Sequence, residues 1–138
     1  MRFIDANVVI YAVLKPKKAL PESVLQKKKA AKEIFLRVNA GEPVLTTTVH
    51  MSEVANVLED AAGLSFATDL LSAVFLKSSI SIEPVSADDY REGIRLAENL
   101  GISINDALAL SIMYDKGIDE IYTFDRHFRQ AKVRVVQE

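Results

Sequence analysis

The chain has 138 residues, one domain's worth at roughly 100–200 residues per domain, and its 49% apolar and 26% charged residues exclude disorder as the main state. Its longest run free of acidic and basic side chains is the ten residues Pro43–Ser52, against the roughly 18 that a spanning helix needs. The net charge of −2 hides an asymmetry: residues 1–40 carry nine Lys/Arg and three Asp/Glu, whereas residues 41–138 carry eight and sixteen.

Arg2-Phe3-Ile4 reads as a first strand ending at Asp5, and Ala6–Leu14 as a short apolar helix. Asp5 also stands where a signal peptide would have its apolar run, so a soluble cytoplasmic protein is expected, with no membrane segment. Lys15–Pro21, with two prolines and three lysines, reads as a loop. Glu22–Ala40 follows as a helix whose apolar stripe is Leu25, Ala30, Ile34, Phe35 and Val38, stopped by Gly41-Glu42-Pro43. The basic clusters Lys15, Lys17, Lys18 and Lys27, Lys28, Lys29, Lys32, Arg37 suit either nucleic-acid phosphates or a solvated face.

Val44-Leu45-Thr46 reads as a buried second strand. Val49–Ala61 is helical, with Val54, Val57, Leu58 and Ala61 on its apolar side and Thr47 or Thr48 as cap. Gly63 separates it from a helix over Leu64–Lys77. Ile80–Val85 alternates as a strand, Ser86–Asn99 is a helix closed by Gly101, and Ser103–Lys116 is a helix apolar enough to be buried. Glu120–Phe124 and Val133–Val136 are the last two strands, with a turn or short helix from Asp125 to Gln130 between them. Strands alternating with helices over residues 1–138 predict one α/β domain with a parallel sheet, and such sheets bind ligands beyond the carboxyl ends of their strands.

Four acids fall near that edge. Asp5 follows the first strand and Asp125 the fourth. Glu53 lies early in the helix after the second strand, and Asp106 opens the buried helix. Each also has an ordinary structural reading: Asp5 and Asp125 as helix caps, Asp106 as the acid of a Ser103–Asp106 capping box, Glu53 as a surface residue. Convergence would set them repelling one another, which a divalent cation relieves. The chain has no cysteine and only two histidines, His50 and His127, so the ligands must be mostly oxygens, which favours Mg²⁺, Mn²⁺ or Ca²⁺ over Zn²⁺. One ion or two would fit. Such a site suits phosphodiester hydrolysis. A receiver domain would need an adjacent acidic pair near the first strand, and an aspartate-nucleophile phosphatase a second Asp at position 7, where this chain has Asn7. His50, Asn105, Arg126, His127 and Arg129 stand outside the first-rank site.

Asp5-Ala6-Asn7, Ser52-Glu53-Val54, Ile104-Asn105-Asp106-Ala107-Leu108 and Thr123-Phe124-Asp125-Arg126-His127-Phe128 together resemble the PIN domain, in the order and spacing of the VapC-type toxins. The resemblance runs over essentially the whole chain. It implies a single PIN-like domain with a five-stranded parallel sheet flanked by helices, acting as a Mg²⁺- or Mn²⁺-dependent endoribonuclease that leaves 5′-phosphate and 3′-hydroxyl ends. It implies Asp5, Glu53, Asp106 and Asp125 as catalytic metal-site acids, Asn7 and Thr123 as their hydrogen-bonding support, a homodimer, and a small antitoxin partner. The alternative is a PIN-like module that binds RNA or protein without cleaving. The basic, proline-bearing Lys15–Lys29 segment is longer than a compact form of this fold requires.

Overall fold

The computed structural model describes all residues from Met1 to Glu138. Five short strands, β1 (Arg2–Ile4), β2 (Val44–Thr47), β3 (Ile80–Glu83), β4 (Glu120–Tyr122) and β5 (Arg134–Val136), form one sheet in the order β3-β2-β1-β4-β5. Every neighbouring pair is parallel. The connections are helices: α1 (Ala6–Val13) and α2 (Glu22–Asn39) after β1, then α3 (Thr48–Ala62) and α4 (Leu64–Leu76) after β2. α5 (Ala87–Leu100) and α6 (Ile104–Lys116) follow β3, and a 3₁₀ turn (Arg126–Gln130) joins β4 to β5. This is the expected five-stranded parallel α/β architecture. No helix is long and apolar enough to cross a membrane.

Successive residues of a strand point to opposite faces, and both faces of this sheet are covered, so Phe3, Ile4, Val44, Leu45, Ile121 and Tyr122 of its central strands are all buried. Ile4, Val44 and Tyr122 pack into a core with Val8, Ile34, Val54 and Leu58 of α1–α3. Phe3, Leu45 and Ile121 pack oppositely with Leu110, Met113 and Phe128. The result is three layers with the sheet in the middle. Its direction of winding reverses at β1, whose neighbours are β2 and β4, so the switch-point crevice lies beyond the ends of β1 and β4.

The helix boundaries follow local chemistry. Thr47 caps α3 by accepting the His50 N–H, and Ser86 and Asp89 close a reciprocal capping box on α5. Gly63, at φ 92°, makes the corner between α3 and α4 in a region L side chains rarely enter. Gly93 serves close packing instead: a Cβ there would come within 2.8 Å of Leu108 Cδ2, so its absence lets α5 lie close on α6.

Three expected core positions, Leu25, Val57 and Ala61, are exposed. Leu25 is 44% exposed, while Ala31, Ile34 and Val38 form the buried face of α2. At 100° per residue Leu25 is about half a turn out of phase with Ile34. Val57 is 38% exposed at the edge of the α3 stripe formed by His50, Met51, Val54 and Leu58. The third and fourth strands are also shorter than their apolar runs, ending at Glu83 and Tyr122.

Candidate metal centre at the carboxyl edge of the sheet

Asp5 is the residue after β1 and is buried, with 6% of its surface exposed. Its Oδ1 accepts the Ala6 N–H at 2.8 Å, as the cap of α1, and its Oδ2 accepts the Thr123 hydroxyl at 2.7 Å. Thr123 follows β4, so this bond spans the switch point. The Thr123 oxygen also accepts from Asn7 Nδ2 at 3.4 Å and from the Asp125 N–H at 3.0 Å. Asn7 Oδ1 in turn accepts the Phe124 N–H at 3.4 Å. Asn7 and Thr123 thus link the end of β1 to the end of β4 beside Asp5 and Asp125.

Burial pushes the pKa of Asp5 up to about 6, against the bonds from Thr123 and Ala6, and the charge of Asp125 adds to the rise. Asp106 is likewise pushed up to about 6, by burial first and then by the charges of Asp5 and Asp125. These three carboxylates are thus within one another's field. Asp106 makes only half of a capping box. Its N–H donates to Ser103 Oγ at 3.1 Å, but the return bond to the Ser103 N–H, which α5 makes through Asp89, is missing from α6. Its carboxylate instead lies 3.9 Å from His127 Nδ1, which is 3.1 Å from Asp125 Oδ1. Asp125 also caps the 3₁₀ turn, accepting the His127 N–H at 2.8 Å.

Glu53 is half-buried and accepts a hydrogen bond from Asn105 Nδ2, which ties α3 to the start of α6. It flanks a polar cavity of about 290 Å³ with Thr48, Ser52, Asn56, Tyr90 and Asn105. His50, one turn earlier, is fully buried. Burial pushes its pKa down to about 4 despite the charge of Glu53, so its 3.8 Å approach to Asp5 is not an ion pair at neutral pH.

Asp106, Asp125 and His127 each present one ligand atom, all within 4.8 Å of one another. The lysines and arginines that form ion pairs do so with other acids: Glu42, Glu83, Asp88, Glu92 and Glu120. Acids that gather here, two of them (Asp5 and Asp106) with raised pKa values, and that have no lysine or arginine partner, only the exposed His127 beside them, suit a hard divalent cation. A larger hollow of about 660 Å³ lies elsewhere, lined by Lys15, Lys17, Glu59, Asp60 and Phe66. Its size does not make it the better site, because it lacks convergent groups with perturbed pKa values.

The local signals for Asp5, Glu53, Asp106 and Asp125 are position after a strand or at a helix start. The links made by His50, Asn105 and His127 are weaker in sequence. His50 precedes Glu53 by three residues on the same side of a helix, while the pairings of Asn105 and His127 join distant elements and leave no local pattern.

This fold and acid constellation define a PIN-type domain. The chain belongs to the PIN domain family, whose model matches residues 2–133. Three solved structures share the fold. The sarcin–ricin loop cleaving toxin VapC20 of Mycobacterium tuberculosis is 22% identical, with a TM-score of 0.74 over 97% of this chain and 99% of its own. A toxin–antitoxin complex from Klebsiella pneumoniae is 16% identical, with a TM-score of 0.66 over 99% and 96%. VapBC2 of Rickettsia felis, bound to a DNA fragment from its promoter, is 15% identical, with a TM-score of 0.67 over 98% and 96%. No curated protein sequence matches the chain.

Proposed function

We propose that this chain is a divalent-metal-dependent endoribonuclease and the toxin member of a toxin–antitoxin pair. The observation that carries the reading is the convergence of Asp5, Asp106 and Asp125 at the switch point without a lysine or arginine among them. Asp5, Glu53, Asp106 and Asp125 would hold the cation, Mg²⁺ or Mn²⁺. When bound, it supplies charge neutralisation and Lewis acidity for hydrolysis of a phosphodiester.

The chain's own residues prepare that site. Thr123 and the Ala6 N–H orient Asp5. Asn105 steers Glu53 toward the start of α6, and the cap position of Asp125 points its carboxylate at His127. The exposed lysines of the loop after α1 and of α2 (Lys15, Lys17, Lys18, Lys27, Lys29) offer sequence-independent attraction to an RNA backbone.

The toxin reading draws on the likeness to toxin–antitoxin assemblies of Klebsiella pneumoniae and Rickettsia felis. A small antitoxin would be the protein partner, in the cytoplasm where RNA is met. A homodimer is favoured by the apolar side chains that α4 leaves at the surface, among them Leu64, Phe75 and Leu76.

The test is cleavage of labelled RNA by the isolated chain in Mg²⁺ or Mn²⁺, beside Asp5→Asn and Asp106→Asn. Products from the wild type and none from either variant support the reading, and activity retained in both variants overturns the site. RNA held in chelator but never cut in Mn²⁺ would instead mark a binding module.

A further inference from the structure

His50 has no assigned part in the site, yet nothing in the core accounts for one of its two ring nitrogens. The ring is wholly buried and stands edge-on to Phe3, with centroids 5.1 Å apart. Nδ1 lies 2.7 Å from Thr47 Oγ1, the oxygen that also accepts the His50 backbone N–H at 3.2 Å. Nε2 makes no hydrogen bond. The carboxylate it faces is Asp5, whose Oδ1 is 3.8 Å away.

These neighbours choose between the two neutral tautomers. With the proton on Nδ1, Nε2 would turn a lone pair toward the oxygen of a carboxylate. With the proton on Nε2, Thr47 donates its hydroxyl proton to Nδ1 while still accepting the backbone N–H, and the Nε2–H faces Asp5. The second arrangement pairs both Thr47 Oγ1 and Nδ1 and turns a positive N–H, rather than a lone pair, toward the Asp5 carboxylate. At 3.8 Å the N–H acts on the carboxylate as a dipole on a charge rather than as a hydrogen bond. A phenylalanine could fill the same space against Phe3 without burying a nitrogen that lacks a partner, so the imidazole brings a cost that packing does not explain.

The geometry points to His50 as a positioning residue for Asp5: Thr47 holds the ring as the Nε2–H tautomer, and that N–H, facing the carboxylate from the buried side, fixes its orientation. Two hydrogen-bond donors, the Ala6 N–H and the Thr123 hydroxyl, and the N–H dipole of His50 then surround Asp5, contributed by α1, the end of β4 and α3. This inference rests on the proposed cation site, because a fixed orientation of Asp5 matters only if it holds a cation.

Two measurements test it. The first is a long-range ¹H–¹⁵N correlation spectrum of the metal-free wild type at pH 7. A protonated Nε2 with a bare Nδ1 is expected, and an Nδ1–H tautomer or an imidazolium overturns the inference whatever the variants do. The second is Mn²⁺ titration by calorimetry of the wild type, His50→Phe and His50→Gln, with circular dichroism as the check on folding. His50→Phe should bind about tenfold more weakly, the lower end of the range for groups that support a metal ligand. His50→Gln, which restores an N–H donor at a similar reach, should recover most of the affinity. Wild-type affinity in His50→Phe, or a folded His50→Gln as weak as His50→Phe, overturns the positioning role alone. A wild type that binds no Mn²⁺ takes down both this role and the metal site. Should His50→Phe fail to fold, the tautomer and the glutamine variant still decide.

Discussion

The hydroxyl of Thr123 donates to Asp5 Oδ2 at 2.7 Å and joins two residues 118 positions apart in the chain. A threonine hydroxyl has one proton and two lone pairs, and here all three are engaged: the proton by Asp5, the lone pairs by Asn7 and by the Asp125 N–H. One oxygen thus sets the positions of two acids across the crevice between β1 and β4.

Thr123→Val keeps the shape and removes the hydroxyl. It leaves Asp5 Oδ2 and the Asp125 N–H without their partner, which should cost about 1–3 kcal/mol in urea unfolding. Mn²⁺ binding should weaken as well, because Asp5 is deprived of the bond that holds its pKa down. Stability and binding both equal to the wild type would contradict this role for Thr123.

The metal-free protein should lose stability as pH rises from about 4 to about 6. Asp5 and Asp106 have folded pKa values of about 6 against an ordinary 3.8, so in that window the folded state holds protons the unfolded state has released. Stability then falls with rising pH. His50 works in the opposite sense: its folded pKa is about 4 against an ordinary 6.5, and its contribution rises with pH over the same range. Two falling contributions against one rising leave a net fall as pH rises through this window. Asp5→Asn should flatten the profile in urea melts at pH 4, 5 and 6. An unchanged slope in that variant would show that Asp5 does not carry the raised pKa.

Gly93→Ala tests how α6 is seated. Its new Cβ would lie 2.8 Å from Leu108 Cδ2 and 3.1 Å from Leu108 Cγ, and Leu108 is fully buried with little room to turn. Overpacking of this kind should destabilise by about 1–3 kcal/mol. Because α6 carries Asn105 and Asp106, metal affinity should drop along with stability. A variant as stable as the wild type would mean that α5 and α6 yield without strain.

The lysines of the loop after α1 are exposed, unlike Lys28, whose Nζ donates to the Tyr11 and Leu14 carbonyls at the end of α1. Replacing Lys15, Lys17 and Lys18 together by alanine should weaken binding of single-stranded RNA in chelator. It should also reduce the slope of log K against log salt by about 0.7 for each phosphate no longer neutralised. An unaltered slope would assign those lysines to solvent.

Most of the fold is legible in the sequence because its signals are local. Ser86 and Gly101 bracket α5, Gly63 separates α3 from α4, and the apolar runs at Phe3, Leu45 and Ile121 are sheet-centre strands covered on both faces. Leu25 misleads because a single leucine does not reveal which side of α2 meets the core. The acids at positions 5, 106 and 125 are visible as residues at element ends. Their meeting depends on β4 pairing with β1, an association of distant segments that periodicity does not encode. The same limit hides the hydrogen bond from Asn105 to Glu53 and the approach of His50 to Asp5.

The most direct test of the proposed metal site is thermal unfolding and calorimetry of the isolated chain with Mn²⁺ and Mg²⁺, beside the Asp5→Asn/Asp106→Asn double variant. At about 100 times its dissociation constant, a cation held by these acids adds ~2.7 kcal/mol to the wild-type fold, a shift of several degrees that the double variant should lack. A well-folded wild type indifferent to both cations, or a double variant stabilised to the same extent, would contradict a metal site built on Asp5 and Asp106.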